Sequence, residues 1–304
     1  MSNSAAFLSE VQDVLEDNIL SYWLTLKDPR GGFYGQVSDS GSADKDAVRD
    51  VISRTGIIWS FSAAYRKFRK KEYLIAATHA KDFFLEHFID HKYGGVYWSV
   101  DKDGVRVDTD AHLCAHALAI SALSEFFKAS GDDQAIKEAV NIFKIVRKQF
   151  KDETGRYAGI LTRDFKPSGK EGCVSCVALV EAFANLYAVW PDKELKAALE
   201  EFVSVVCEEK PSEVSAVVLK SALVLKDFDI ANRIRTIALK KGLPKEPSPD
   251  AIRECLAAWK YLGVNEGAEL AVKYWQNFKS DIGHSGNVLF QTSRMCFEAL
   301  DIFS

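Results

Sequence analysis

The sequence lacks the features that would divide the chain or carry it into a membrane. It has only seven prolines in 304 residues and no stretch rich in Pro, Gly or Ser of the kind that links domains. No segment approaches the run of about 18 uncharged apolar residues that a membrane-spanning helix requires. Residues 1–10 have neither the basic nor the apolar region of a secretion signal. We therefore predict one domain over residues 1–304, cytoplasmic and without a membrane partner.

A large excess of charge of one sign is also missing. The 39 basic and 43 acidic residues are mixed along the chain and give a formal net charge of −4, so no basic stripe is available to neutralise phosphates. Nucleic acid is excluded as a partner on this basis. The six cysteines lie mostly in apolar helical patterns, which predicts reduced core residues rather than a disulfide framework.

Apolar residues at helical spacing are abundant, whereas the alternation typical of strands is rare. One stripe contains Phe7, Val11, Val14 and Leu15. Twelve helices, most of them fifteen to twenty residues long, are expected, and twelve helices make six pairs. We expect them to begin near residues 7, 47, 72, 110, 133, 171, 193, 211, 227, 249, 265 and 287.

A glycine–aromatic element recurs in the connections. Its three copies are GGFYG at 31–35, GGVYW at 94–98 and GRYAG at 155–159, and we interpret the spacing as a period of two helical hairpins. Residues 98–104 predict two short strands joined by an Asp-Gly turn. Short β-hairpins are therefore expected to cover one rim of a helical ring. The second half, from residue 211 onward, has no such element. The sequence leaves open whether this half closes the ring.

Several of these segments are similar to the N-acylglucosamine 2-epimerase and cellobiose 2-epimerase family. The best local matches are residues 22–35, residues 93–101 followed by Asp108 and Thr109, and residues 112–125; residues 179–187 and 293–296 are also family-like. The resemblance implies an all-α fold, an α/α toroid of six helical hairpins, or (α/α)6 barrel. It also implies an active site in the central cavity beneath the hairpin loops.

The resemblance implies proton abstraction next to a sugar carbonyl, with return of the proton to the other face or to the neighbouring carbon. Such chemistry needs acid/base groups that titrate near neutral pH, which suits histidine. Here Cys176 and Ala178 stand where relatives carry a His-x-His pair, and Gln291 replaces a histidine of the last helix. Gly56 takes the place of the active-site arginine. Arg54 is two residues away, a rotation of roughly 200° along a helix.

His112 and His116 are the remaining candidates for catalysis, because residues four apart share one face of a helix. The alternative is that His112 is a hydrogen-bonded structural residue and that His116, where relatives have glutamine, is a neutral replacement. The pair also has metal-ligand spacing, and Cys114 with Cys173-x-x-Cys176 could complete a site. However, Leu113 stands where zinc hydrolases have glutamate. We predict no metal and no cofactor.

The remaining candidates are binding residues that match family positions or supply aromatic surface for a sugar. Glu181 and Arg294 are expected either to bind substrate or to pair with each other as part of the inner wall. The candidates for substrate binding are Tyr34, Arg54, Trp98, Cys176, Glu181, Gln291 and Arg294.

The leading hypothesis is a compact, divergent family member that binds a sugar or related polar small molecule in the central cavity. Its chemistry would be that of an aldose 2-epimerase or an aldose–ketose isomerase. One alternative is a catalytically degenerate scaffold for binding or interaction. Another is lyase or hydrolase chemistry by carboxylates in the same cavity. The pattern makes no prediction of an oligomeric state.

Overall fold

Six helices form the inner wall of a ring, and the other helices pack around them. The computed structural model describes residues 2–37, 43–172, 174–279, 282 and 286–303. Each inner helix contacts the next, and the last contacts the first. The inner helices are α3 (Val51–Phe68), α5 (Leu113–Ser130), α7 (Cys176–Tyr187), α9 (Ala216–Ala222), α11 (Pro249–Ala257) and α13 (Gly286–Ile302).

The outer layer alternates with the inner one along the chain, so that each outer helix is followed by an inner helix. Its first member is composite: α1 (Ser2–Asp13) continues through a π-helical stretch, Val14–Leu20, into α2 (Ser21–Thr25). The predicted toroid of six helical pairs is confirmed. The remaining outer helices are α4 (Lys71–His87), α6 (Asp133–Gln149), α8 (Lys193–Glu208), α10 (Phe228–Lys241) and α12 (Glu266–Phe278).

Side-chain caps fix where the helices begin. Ser175 accepts a hydrogen bond from the amide of Ala178 and Ser215 accepts one from Val218, so α7 and α9 begin five residues later than predicted. Residues 211–213, where the eighth helix was expected to begin, form a separate 3₁₀ turn. No helix of the described chain is long and apolar enough to cross a membrane.

The ring is closed by close packing between α13 and α3. A Cβ added to Gly56 would lie 2.9 Å from the ring of Phe290, so the absence of a side chain lets the two helices approach. The hydroxyls of Ser60 and Ser293 are 2.6 Å apart across the same contact. The shorter second half of the chain therefore completes the circle.

The three glycine–aromatic elements fold into the same turn. In each copy an aspartate accepts a hydrogen bond at 2.9 Å from the backbone amide two residues later: Asp28 from Arg30, Asp90 from Lys92, and Asp152 from Thr154. One turn precedes each of the first three inner helices, α3, α5 and α7. The period is thus one helical hairpin, and our interpretation of two was wrong.

Short strands extend these turns into the predicted β-hairpins at one rim of the ring. The expected hairpin around Gly104 is present: β4 (Ser99–Val100) pairs antiparallel with β5 (Arg106–Asp108), and β3 (Arg49–Asp50) pairs with β4. The other pairs are β1 (Gln36–Val37) with β2 (Ala43–Asp44), and β6 (Ala111–His112) with β7 (Ile160–Leu161). Because β3 and β6 lead directly into α3 and α5, this rim lies at the amino-terminal ends of the inner helices.

Candidate functional site

His116 lies on the inner helix α5 but is completely enclosed. Its Nδ1 is 2.7 Å from the carbonyl oxygen of His112, and its Nε2 accepts a hydrogen bond from the amide of Val96 at 3.2 Å. Burial lowers the pKa of His116 to about 4, so the ring is neutral. Both nitrogens are used by the backbone, which leaves neither for a substrate. This arrangement favours a structural role for His116 over a catalytic one.

The contact between His116 and the second rim turn depends on glycine. Gly95 has a φ of +84°, and a Cβ at this position would lie 2.7 Å from Nε2 of His116. The histidine therefore fixes the turn at residues 94–98 to the start of α5, and through it the position of the neighbouring aromatic side chains.

His112 occupies a different environment one helical turn earlier. It is the residue that precedes α5, and its ring stacks on Trp98 with centroids 4.3 Å apart and planes at 27°. Nε2 lies 3.7 Å from a carboxylate oxygen of Asp108, which is longer than a hydrogen bond. Partial burial lowers the pKa of His112, against the opposing effect of Asp108 and Asp110. A neutral imidazole near pH 7 can accept a proton.

Several side-chain polar atoms of the described residues are buried without a hydrogen-bond partner, and three of them belong to site candidates near the amino-terminal ends of adjacent inner helices. These three are Nε of Arg54 on α3, Nε2 of His112 before α5, and Oε1 of Gln291 on α13. An unpaired buried polar atom costs roughly 1–3 kcal/mol, so native proteins rarely leave one without a reason. All three belong to residues that the sequence analysis named as site candidates.

Arg54 positions the backbone of Tyr34. The guanidinium of Arg54 donates to the carbonyl oxygens of Phe33 and, at 2.9 Å, Tyr34. Arg54 is only 4% exposed, and burial lowers its pKa to about 10. It therefore holds the first rim turn against α3, while the Tyr34 side chain stays partly accessible.

Cys176 is the first residue of α7 and is buried. Burial raises the pKa of its thiol, with Lys210 acting in the opposite direction, so the thiol is protonated at neutral pH and is a poor base. Cys173, the other half of the proposed Cys-x-x-Cys pair, lies outside the described residues.

The expected pairing of Glu181 with Arg294 is confirmed, and a second arginine joins it. One carboxylate oxygen of Glu181 accepts from Arg294 at 2.8 Å and from Arg253 at 2.7 Å. Burial alone would raise the pKa of Glu181, but the two guanidiniums hold it well below its usual range. Arg253 also lies 3.4 Å from Glu298. We call Glu181, Arg253, Arg294 and Glu298 the waist network. It joins α7, α11 and α13 near the middle of each helix.

Sequence reasoning missed Arg253, although a signal was present. It lies within residues 251–258, where all the other side chains except that of Glu254 are apolar, and a charge on such a helix needs a buried partner. The partners could not be identified because they are 72 and 45 residues away along the chain.

A cavity of about 480 Å³ lies on the far side of the waist network from the rim turns. The network, Trp59 and the carboxy-terminal halves of the inner helices line it, and no residue of the rim turns does. The guanidinium of Arg294 lies 5.8 Å from the ring centroid of Trp59 at its inner end. The described chain thus has two distinct polar regions, one below the rim turns and one at the opposite mouth.

A closed ring of six helical pairs, with β-hairpins at one rim and polar inner-wall residues below them, defines an (α/α)6 toroid with a site inside the ring. The chain belongs to the N-acylglucosamine 2-epimerase family, whose model matches residues 32–219.

Relatives with assigned activities include cellobiose 2-epimerases and a D-mannose isomerase. The chain is 33% identical over 214 residues to the cellobiose 2-epimerase of Bacteroides fragilis, which covers 66% of this chain and 55% of the relative. It is 35% identical over 192 residues to that of Ruminococcus albus, covering 59% and 49%. The chain thus spans about half the length of the curated relatives it matches.

Solved structures share the fold over the full length. The cellobiose 2-epimerase from Bacillus thermoamylovorans superposes with a TM-score of 0.87 over 98% of this chain and 99% of the other, at 23% identity. A sugar epimerase from a ruminal bacterium gives a TM-score of 0.88 at 23% identity, over 97% and 98% of the two chains.

Proposed function

We propose that the chain binds a carbohydrate at the rim end of the ring and interconverts its aldose and ketose forms through a single base, His112. The observation that carries the proposal is the set of unpartnered buried atoms on Arg54, His112 and Gln291. A sugar presents hydroxyl groups that both donate and accept, so it can pair with a guanidinium N–H, an imidazole nitrogen or an amide oxygen. The stacked Trp98 and His112 rings supply an apolar edge of the kind sugars pack against.

A single base, His112, favours one of the two reactions expected of the family. Epimerisation at carbon 2 requires that the proton return to the opposite face, which calls for a group on each side of the sugar. Isomerisation needs one base: it takes the proton from carbon 2, the enediol forms, and the same group returns the proton to carbon 1 while the hydroxyl proton moves from oxygen 2 to oxygen 1. His116 offers no free nitrogen as a second base, because both of its nitrogens bond the backbone.

The proposal is tested with aldoses and disaccharides, scored for ketose products and for sugar binding. His112→Phe keeps a ring to stack on Trp98 but removes both nitrogens, so we expect turnover to fall by roughly 10²–10⁴ while sugar binding weakens only modestly. His91→Asn, at an exposed position of the second rim turn, is the matched control and should behave as the parent protein. Undiminished turnover in His112→Phe would refute the assignment.

Binding without turnover is the second candidate, and one observation favours it. Two other ionisable groups of the inner wall are already engaged: His116 by the backbone and Glu181 by two arginines. This version predicts that a sugar raises the melting temperature while no ketose forms and no hydrogen exchanges with solvent.

A further inference from the structure

We propose that the cavity at the mouth opposite the rim turns is a second binding site, for a small phosphomonoester that carries hydroxyl groups. This site is separate from the one in the preceding section and does not depend on it. Its volume, about 480 Å³, lies within the range of 300–1,000 Å³ that small-molecule sites occupy.

The charges that line the cavity are unequal. Seven cationic side chains face four carboxylates, and the excess is concentrated at the mouth. Four cations lie at the mouth, together with two carboxylates, Glu125 and Asp301. The carboxylates therefore balance two of the four positive charges and leave two unbalanced. The mouth cations are Arg66, Lys67, Arg69 and Lys128.

The carboxylate Glu125 is shared between two cations. It lies within ion-pair distance of Arg66 and 3.5 Å from Lys128, and it is only 4% exposed. Lys128 also donates to Oδ1 of Asn185, and burial lowers the pKa of its ammonium. An anion at the mouth would stabilise the charged form of Lys128.

Arg69 lies at the entrance of the cavity. It ends α3 with a left-handed φ of 59°, is exposed, and has no carboxylate of the described residues within 4 Å; its guanidinium lies 5.7 Å from the ring centroid of Tyr65. Its charge is therefore available to a ligand. Two unmatched charges suit a phosphomonoester, which carries roughly −1.5 to −2 at pH 7, better than a carboxylate with −1.

A structural explanation of the same charges exists and makes a different prediction. The carboxy-terminal ends of the inner helices carry partial negative charge, and basic side chains in the last turn stabilise them. Lys67 does so directly, since its ammonium donates to the carbonyl oxygen of Leu300 at 2.9 Å. If the other mouth cations serve only this purpose, removing one lowers stability and no ligand binds.

Isothermal titration of the full chain with glucose 6-phosphate, inorganic phosphate, gluconate and glucose, at constant ionic strength, separates these explanations. We expect glucose 6-phosphate to bind most tightly, phosphate more weakly, and the other two at least tenfold more weakly than glucose 6-phosphate. Arg69→Gln should weaken glucose 6-phosphate binding roughly fivefold to tenfold, and Lys128→Met by a similar or larger factor.

A control variant makes the result decisive. Lys240→Gln removes an exposed lysine on α10 and should leave binding unchanged. Arg69→Gln strands no carboxylate, so it should keep its fold even if Lys128→Met does not. No heat with glucose 6-phosphate, equal affinity for gluconate, or identical binding in Arg69→Gln and Lys240→Gln would overturn the proposal.

Discussion

At the scale of single residues, the two histidines on one helix face have different roles because their surroundings differ. His116 is enclosed and bonded at both nitrogens, whereas His112 is partly accessible and stacks on Trp98. The i, i+4 spacing was visible in the sequence. The difference in burial was not, because it depends on Val96 and Gly95 of a turn about twenty residues earlier in the chain.

The buried neutral state of His116 makes the fold sensitive to acid. Its pKa is about 4 in the folded chain and about 6.5 when unfolded, so the unfolded chain takes up a proton first as the pH falls. Its contribution to stability is complete above pH 6.5 and is lost progressively between 6.5 and 4. Between pH 7 and pH 5 this loss amounts to about 2 kcal/mol.

Replacing His116 with Gln should remove this sensitivity. A glutamine can accept from Val96 and donate to the carbonyl oxygen of His112, so we expect near-parental stability at pH 7. The drop in unfolding free energy from pH 7 to pH 5, measured by urea denaturation, should be smaller than the parental drop by about 2 kcal/mol. Equal pH dependence in the two proteins would show that His116 is not held neutral.

His112 should set the acid limb of the activity profile. The base must be neutral, and its pKa is below the usual value near 6.5, so kcat/KM should fall with a midpoint below pH 6.5. Asp108 opposes the shift, so Asp108→Asn should move the midpoint further down. A midpoint above 6.5, or one that rises in Asp108→Asn, would contradict this role.

At the scale of elements, the rim turns show what a sequence pattern can and cannot specify. The glycines and aromatic residues predicted hairpins at the correct positions, but they did not indicate the aspartate that organises each turn. The aspartates also differ in burial. Asp90 is 3% exposed and is bound by Arg163 at 2.6 and 3.1 Å, whereas Asp152 is exposed.

This difference predicts unequal effects of the same substitution. Asp90→Asn leaves the Arg163 guanidinium without its charge partner and should cost roughly 2–3 kcal/mol of unfolding free energy. Asp152→Asn, its counterpart in the third turn, should cost about 1 kcal/mol or less because water replaces its contacts. Denaturant unfolding of both variants gives the comparison, and equal costs would mean that the Asp90–Arg163 pair adds nothing to the turn.

Helices were predicted more accurately than the site for a physical reason. Apolar spacing and capping residues act within a few positions of one another, so the sequence contains them in readable form. The waist network joins side chains from α7, α11 and α13, and only Glu181 and Arg294 were anticipated. The identity of Arg253 as their common partner follows from the packing of the ring.

At the scale of the whole molecule, the chain closes a complete ring of six helical pairs. Gly56 packs against Phe290 where α13 closes the ring. The fold matches solved sugar epimerases over nearly its whole length, yet about half the length of the curated relatives aligns by sequence. The proposed function rests on His112 as a single base.

The most direct test follows hydrogen exchange in deuterium oxide, with NMR detection of deuterium at carbons 1 and 2 of a sugar that raises the melting temperature. A single base predicts deuterium at carbon 1 of the ketose product, its loss in His112→Phe, and little of the 2-epimer. A 2-epimer as the main product, or exchange that persists in His112→Phe, would contradict the account.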